Sequence, residues 1–376
     1  MPPAQTAFLT LIILFLDMNI PATFPILNHY TYLNTANSGI LSVELAQWRT
    51  KHDQEFIAGG SIFKMNQAYI YDELRGNIGK LVKAKKENVF LTQNFSVGFN
   101  NVINGLNKNH RFLILNEDYP SVLFPITSAG FECIQVDINA ATEENIIAAI
   151  EKHKPTVFAF SVVQYISGYR LNPDFIIKLK AAYPDLLLIG DGTQFCGTTD
   201  FDFQSSGLDA LITSGYKWLL AGYGNGFTVF SDQLKEQLFE DRKKAIIPAI
   251  PFLHGRDYLS LTFEPGHLDS LNFGSLNESI KMLLNLGLDN IEKHNQKLCD
   301  KARYELHNRG LIPDFLALQQ YPSNIMSLPL AQTTVKKFEE AKIVCSPRGA
   351  GTRISFHVYN TDRDLNKLLE VIDTID

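Results

Sequence analysis

The chain is 376 residues long and 45% hydrophobic, enough to bury a large core shared between two lobes. Charged residues make up 20% and the formal net charge is -6, which excludes a basic nucleic-acid-binding surface and a disordered charged tail and points to a small-molecule substrate. Four scattered cysteines (Cys133, Cys196, Cys299, Cys345) form no C-x-x-C pair, so neither a disulfide framework nor a zinc site is expected, no metal is called for, and a reducing cytoplasm is the natural setting.

The first feature along the chain is the apolar run Ala7–Leu16. It has no basic start, since no Lys or Arg precedes Arg49, and it is too short to span a bilayer. Met18 follows it, so residues 1–17 are expected to be an extension on a fold that begins near Met18 rather than a secretory or membrane segment. Seven apolar runs then alternate with longer mixed segments: Asn88–Leu91, Arg111–Leu115, Cys133–Val136, Thr156–Ser161, Leu186–Gly190, Ala210–Thr213 and Gly226–Phe230. This alternation predicts an α/β fold with a seven-stranded, mostly parallel sheet. Helices are expected at Phe99–Gly105, Glu143–His153 and Pro173–Ala182, the last capped by Asn172. Ser231–Lys244 reads as one charged helix, and the two prolines of Ala245–Pro251 then break regular structure. The large lobe is therefore placed at 18–245, with 18–35 as a stretch that could join the other lobe, and a smaller α+β lobe at 246–376. That lobe is predicted to hold long helices at Ser275–Arg309 and Asp362–Ile375 and strands at Asn324–Pro329 and Arg353–Val358.

In open α/β sheets ligands bind beyond the carboxyl ends of the strands. Three strand ends carry a consistent chemistry here: Thr92-Gln93-Asn94-Phe95-Ser96, Asp191-Gly192-Thr193-Gln194 and Ser214-Gly215-Tyr216-Lys217. Pyridoxal 5'-phosphate (PLP) needs a lysine to form an imine, a carboxylate to keep its ring nitrogen protonated and donors for a phosphate dianion. Lys217 meets the first need, Asp191 the second, and the helix start at Asn94–Gly98 with Ser214 and Tyr216 the third. An S-x-x-K serine acyl enzyme is the competing reading, but its S-D-N and K-T-G partners do not occur.

These motifs resemble the class V aminotransferase family of fold-type I PLP enzymes, which includes cysteine desulfurases, selenocysteine lyases, isopenicillin N epimerases and kynureninases. The resemblance runs from Tyr32 to the C-terminus. D-G-T-Q at 191–194 is similar to D-G-A-Q and implies that Gln194 bonds the cofactor's phenolic oxygen, while S-G-Y-K at 214–217 is similar to S-G-H-K and implies that Ser214 and Tyr216 join Phe95 and Ser96 around the phosphate. Tyr119, in E-D-Y-P-S, is implied to stack on the pyridine ring. Tyr165, in V-Q-Y-I-S-G, and Asn37 are implied substrate contacts. G-T-R-I-S followed by Y-N-T resembles C-R-A-S…Y-N-T and implies that Arg353 clamps the substrate's α-carboxylate, with Arg348 as the alternative. F-E-P-G-H resembles F-x-x-G-T, a segment that reaches the phosphate of a second subunit; His267 or Ser275 would supply that contact in a homodimer.

The departures bear on the reaction. Desulfurases carry a nucleophilic Cys upstream of the clamping Arg, and here Cys345 lies only eight residues before Arg353, so it is read as a structural thiol. Gln194 stands where kynureninases have His. The expectation is a transaminase or lyase acting on a small amino acid, with a cysteine desulfurase or selenocysteine lyase, a kynureninase-like hydrolase, and a non-catalytic PLP-binding protein as the alternatives.

Overall fold

The computed structural model describes residues 20–331 and 334–375; the apolar run Ala7–Leu16 and the proposed 1–17 extension lie outside the described residues. All seven apolar runs are strands of one sheet, in the order Val89–Thr92, Gly226–Phe230, Ala210–Ser214, Leu187–Asp191, Val157–Ser161, Arg111–Leu115, Glu132–Val136. Gly226–Phe230 is antiparallel to both neighbours and the remaining pairs are parallel, so the other six strands point the same way.

The runs are continuously apolar because both faces of the sheet are covered. In Val157–Ser161, for example, Phe158 and Phe160 enter the core on one face while Val157 and Ala159 enter the core on the other. Burying a Phe in this way is worth roughly 1.5–3 kcal/mol, and a polar residue at any of these positions would place an unpaired group between sheet and helix.

The last predicted helix ends at Ile372 rather than Ile375, and three others differ from the sequence reading for local reasons. The helix expected at Phe99–Gly105 starts earlier, at Phe95, because the Asn94 side chain accepts from the Val97 amide (3.0 Å) and caps it. Ser231–Lys244 is not one helix: Asp232–Gln237 is helical, Phe239 takes a positive φ of 51° with its amide bonded to the Gly105 carbonyl (2.8 Å), and a 3-10 turn follows at Glu240–Lys244. Ser275–Arg309 is likewise two helices, Ser270–Leu286 and Leu288–Asn308, separated by Gly287 at φ 79° and ψ 122°.

The smaller lobe contains a three-stranded antiparallel sheet, Ser346–Arg348, Gly351–Ser355 and Ile325–Leu328, with helices Leu288–Asn308 and Asp362–Ile372. Near the start of the described chain, Thr31–Tyr32 pairs in parallel with Ile343–Val344, tying residues 31–32 to this lobe. Residues assigned from sequence to the smaller lobe also cover the large sheet: Phe263 packs on Phe90 (5.5 Å) and Phe230 (5.0 Å). Asn77 of the helix Ala68–Leu81 donates to Asn277 (2.9 Å). We therefore propose that the smaller lobe begins at Leu288 rather than at 246.

At Gly287 an added Cβ would stand 2.8 Å from Asn290 Nδ2 and 3.0 Å from Asp289 Oδ1, in a backbone conformation that L residues avoid. Gly287→Ala is expected to cost about 1–3 kcal/mol, read as a lower urea midpoint at unchanged m-value; an unaltered midpoint would show that the two helices can join smoothly.

Candidate active site

The shared strand direction brings the chemistry-bearing ends together. Thr92 runs into Asn94 and the helix Phe95–Gly105, Leu187–Asp191 ends on Asp191, and Ala210–Ser214 ends on Ser214 ahead of Tyr216 and Lys217. All of these ends open on one cavity of about 540 Å³, which is also lined by Asn37, Tyr119, Ser161, Tyr165, Gln194 and Tyr223.

Asp191 and Lys217 are 6% and 7% exposed. Burial pushes the Asp191 carboxyl well above its ordinary value, against the Thr193 side-chain and backbone bonds and the charge of Lys217, which lower it. Burial pushes the Lys217 amine well below its ordinary value, opposed by Asp191 and reinforced by Arg353 and Arg348. Neither group forms an ion pair within 4.0 Å among the described residues; the Asp191 carboxylate accepts from the Thr193 amide (2.8 Å), and Lys217 Nζ lies 5.8 Å from the Tyr119 ring centre and 5.5 Å from that of Tyr216.

The loop carrying Lys217 is held tightly. The Gly39 amide bonds the Tyr216 carbonyl (2.8 Å), and a Cβ at Gly39 would come within 2.1 Å of the Lys217 carbonyl oxygen, so only glycine allows residues 36–39 to lie against it. The Gln194 side chain reaches in the same direction, donating to the Ala36 carbonyl and accepting from the Trp218 indole (both 2.8 Å). Gln194 thus lines the cavity while anchoring residues on either side of it.

The wall opposite is built from small polar groups. Ser214 Oγ accepts from the Phe95 amide (2.9 Å), and the Ser96 and Ser121 hydroxyls are bonded to each other (2.8 Å). Tyr216 stacks on Tyr223 at 4.9 Å between ring centres. Tyr119 meets Tyr165 edge to face at 5.3 Å. The residue before Tyr119 is Asp118, a buried carboxylate that accepts from the Ser161 amide (2.8 Å) and hydroxyl (2.5 Å) and so fixes the Tyr119 loop to the neighbouring strand. Asp118 belongs to the E-D-Y-P-S motif, but its anchoring partner, Ser161, lies 43 positions away and no local pattern announces it.

Arg353 is 2% exposed, and Nη1 donates to the Tyr165 carbonyl (2.5 Å) while Nε and Nη2 have no partner. It stands behind Tyr165 rather than on the cavity wall. Arg348 is exposed and donates to the Asn37 side chain (2.8 Å). Neither arginine lines the cavity, and two further sequence candidates lie away from it. Ser275 is fully buried, donating to the Leu271 carbonyl (2.6 Å) and accepting from Arg49 (2.8 Å). His267 lines a separate cavity of about 940 Å³ and stacks on Phe252.

These groups fit PLP. A buried carboxylate with no cation beside it suits a ring N–H, a buried amine with a depressed pKa suits an aldehyde, and an eleven-residue helix with its N-terminus on the cavity, beside three hydroxyls, suits a phosphate. The orphaned guanidinium nitrogens of Arg353 suit a carboxylate. Among the described residues no His/Cys/Asp/Glu group is arranged to hold a metal ion, and no helix is long and apolar enough to cross a membrane.

The depressed Lys217 pKa has a measurable consequence in the cofactor-free protein. Below 10.5 the unfolded chain holds a proton at Lys217 that the folded chain resists, so this group contributes a stability that rises with pH through that window. Lys217→Met removes the penalty: the cofactor-free variant is expected to be more stable than wild type by about 1 kcal/mol or more near neutral pH, with the gain shrinking as pH approaches the ordinary lysine value. Urea unfolding at the two pH values checks this, and a gain that is absent or independent of pH would refute it.

Residues 45–368 match the family model for aminotransferase class-V. The chain is 22% identical over 361 residues to a probable cysteine desulfurase of Ureaplasma parvum serovar 3, covering 87% of this chain and 88% of that one. It is 26% identical over 239 residues to the isopenicillin N epimerase of Streptomyces clavuligerus, covering 58% and 60%. Its fold matches the apo structure of cysteine desulfurase from Thermococcus onnurineus NA1 with a TM-score of 0.80 at 16% identity, over 94% of this chain and 96% of that one. With a family match that extends over most of its length, the same stretch that builds the sheet and carries Asp191 and Lys217, the chain belongs to the class-V aminotransferase family.

Proposed function

We propose that this PLP-dependent enzyme works at the α-carbon of a small amino acid, as a transaminase or lyase. The observation that carries the reading is a buried amine and a buried carboxylate, Lys217 and Asp191, on one cavity faced by a helix N-terminus. When bound, PLP supplies an aldehyde for the substrate's amine and a ring that accepts the electron pair left at the α-carbon. Asp191 Oδ atoms hold the proton on the ring nitrogen. Lys217 Nζ, its charge disfavoured by burial, takes the α-proton and returns it. Phe95, Ser96, Ser214 and Tyr216 hold the phosphate, Tyr119 covers the ring, Gln194 meets the phenolic oxygen, and Arg353 grips the α-carboxylate beside Tyr165 and Asn37.

We place the enzyme in a reducing cytoplasm, a setting consistent with its four free thiols. We read it as a homodimer whose His267 reaches the partner's cofactor. That assembly is supported by the exposed Phe56 and Phe252, which line the same cavity as His267, surface that a second copy would cover.

A second reading, cysteine desulfurase, is favoured by the names of the relatives. It requires a mobile, acidic thiol at the site, and Cys345 is neither: it follows the strand Ile343–Val344, burial raises its pKa to about 11, and no described cysteine lines the cavity.

Two experiments test these readings. Borohydride reduction is expected to fix PLP on Lys217 of the wild-type chain and to leave none covalently bound in Lys217→Ala, as read by peptide mass; a labelled peptide elsewhere would move the site. Incubation with a panel of amino acids, followed by cofactor absorbance and by assays for keto acid, alanine and sulfide, separates the reactions. Cys345→Ser is expected to keep about half or more of the wild-type rate, since a half-buried thiol off the cavity contributes packing rather than chemistry. Loss of sulfide release in that variant, with the absorbance response retained, would make the desulfurase reading the leading one.

A further inference from the structure

The hairpin that carries the carboxylate clamp presents a second guanidinium on the same face. Ser346 pairs with Arg353 and Arg348 with Gly351 across the antiparallel ladder. Side chains two apart on a strand share a face, so Arg348 and Arg353 are diagonal neighbours with Cβ atoms roughly 8 Å apart or less. Two like charges at that spacing oppose each other unless something negative stands between or beside them.

Among the described residues nothing supplies that charge. The fields that shift Arg353 are those of Arg348 and the phenols of Tyr165 and Tyr216, and Arg353 in turn acts on Lys217, another cation. Neither arginine has an ion-pair partner among the described residues: Arg353 holds a backbone carbonyl with one nitrogen and leaves Nε and Nη2 unmatched, and Arg348 holds only the amide oxygen of Asn37. Asn37 lines the cavity, so this bond ties the Arg348 head to a residue of the cavity wall, and its field extends to Lys217 and to Tyr165. One α-carboxylate can satisfy one planar guanidinium fork, and the buried Arg353 has the greater need of it.

We infer that the substrate carries a second anionic group at the end of its side chain, and that Arg348, steered by Asn37, is the residue that selects it. This deepens the amino-acid reading given above and rests on it. The shared chemistry is an oxyanion on a short side chain, whether a carboxylate, a sulfinate or a phosphate.

The test titrates the PLP-loaded enzyme with L-alanine, L-aspartate, L-cysteine sulfinate and O-phospho-L-serine, following cofactor absorbance and, independently of any turnover, heat of binding. At least one acidic ligand is expected to bind about tenfold or more tighter than alanine, and Arg348→Gln should bring that ratio close to one. Arg348→Lys, which keeps the charge, should retain part of the preference, whereas Arg353→Gln should weaken every ligand. The ordering of the three acidic ligands identifies the anion. Equal binding of alanine and all acidic ligands, or an Arg348→Gln variant that keeps the acidic preference, would overturn the inference while leaving the amino-acid reading in place. A cofactor signal that no amino acid perturbs would overturn both.

Discussion

Everything at this site follows from two charges that the fold buries without pairing. Asp191 and Lys217 sit at the ends of adjacent strands, in surroundings dry enough to push an acid up and a base down. Burying ionisable groups in this way costs free energy that the core must offset. The two cores on either side of the sheet supply the surplus, and the rigid strands keep the pair from relaxing into a direct salt bridge. The result is an amine whose charge is disfavoured and a carboxylate with no ion-pair partner among the described residues.

The sequence shows the sheet clearly because its strands are buried on both faces, and a doubly buried strand is an unbroken apolar run that ends where solvent begins. Strand ends such as Asp191 and Ser214 are legible for the same reason: the polar residue that stops the run is the one at the cavity. The order of the strands and the reversal of Gly226–Phe230 are not written in any single run, since they depend on which edges meet. Helix ends are less legible. Gly287 interrupts an amphipathic pattern that continues on both sides of it, and periodicity alone joins what one backbone angle separates.

Site residues divide along the same line. Lys217, Asp191, Ser214 and Phe95 are close to their motif neighbours, so local pattern and final position agree. Ser275 is different: it sits in a suggestive motif, yet its hydroxyl is consumed by its own helix and by Arg49, 226 positions earlier. The contribution of Asn37 depends on Arg348, 311 positions away, and the position of Arg353 depends on the carbonyl of Tyr165, 188 positions away. Residues whose purpose is set by a distant partner carry no signature beside them.

The stretch from Thr31 to Gly39 has a consequence for the order in which the molecule can be built. It pairs with Ile343–Val344, gives its Ala36 carbonyl to Gln194, lies against the Lys217 carbonyl and presents Asn37 to Arg348. This segment therefore has to wait for one made some three hundred residues later. Closing a loop of some three hundred residues is slow to be repaid by contacts, so a growing chain can complete much of its large sheet while its lysine loop still lacks the strand that seals it. A polypeptide cut short before residue 343 would possess Lys217, Asp191 and the helix that starts at Phe95 without the strand that pairs with Thr31–Tyr32.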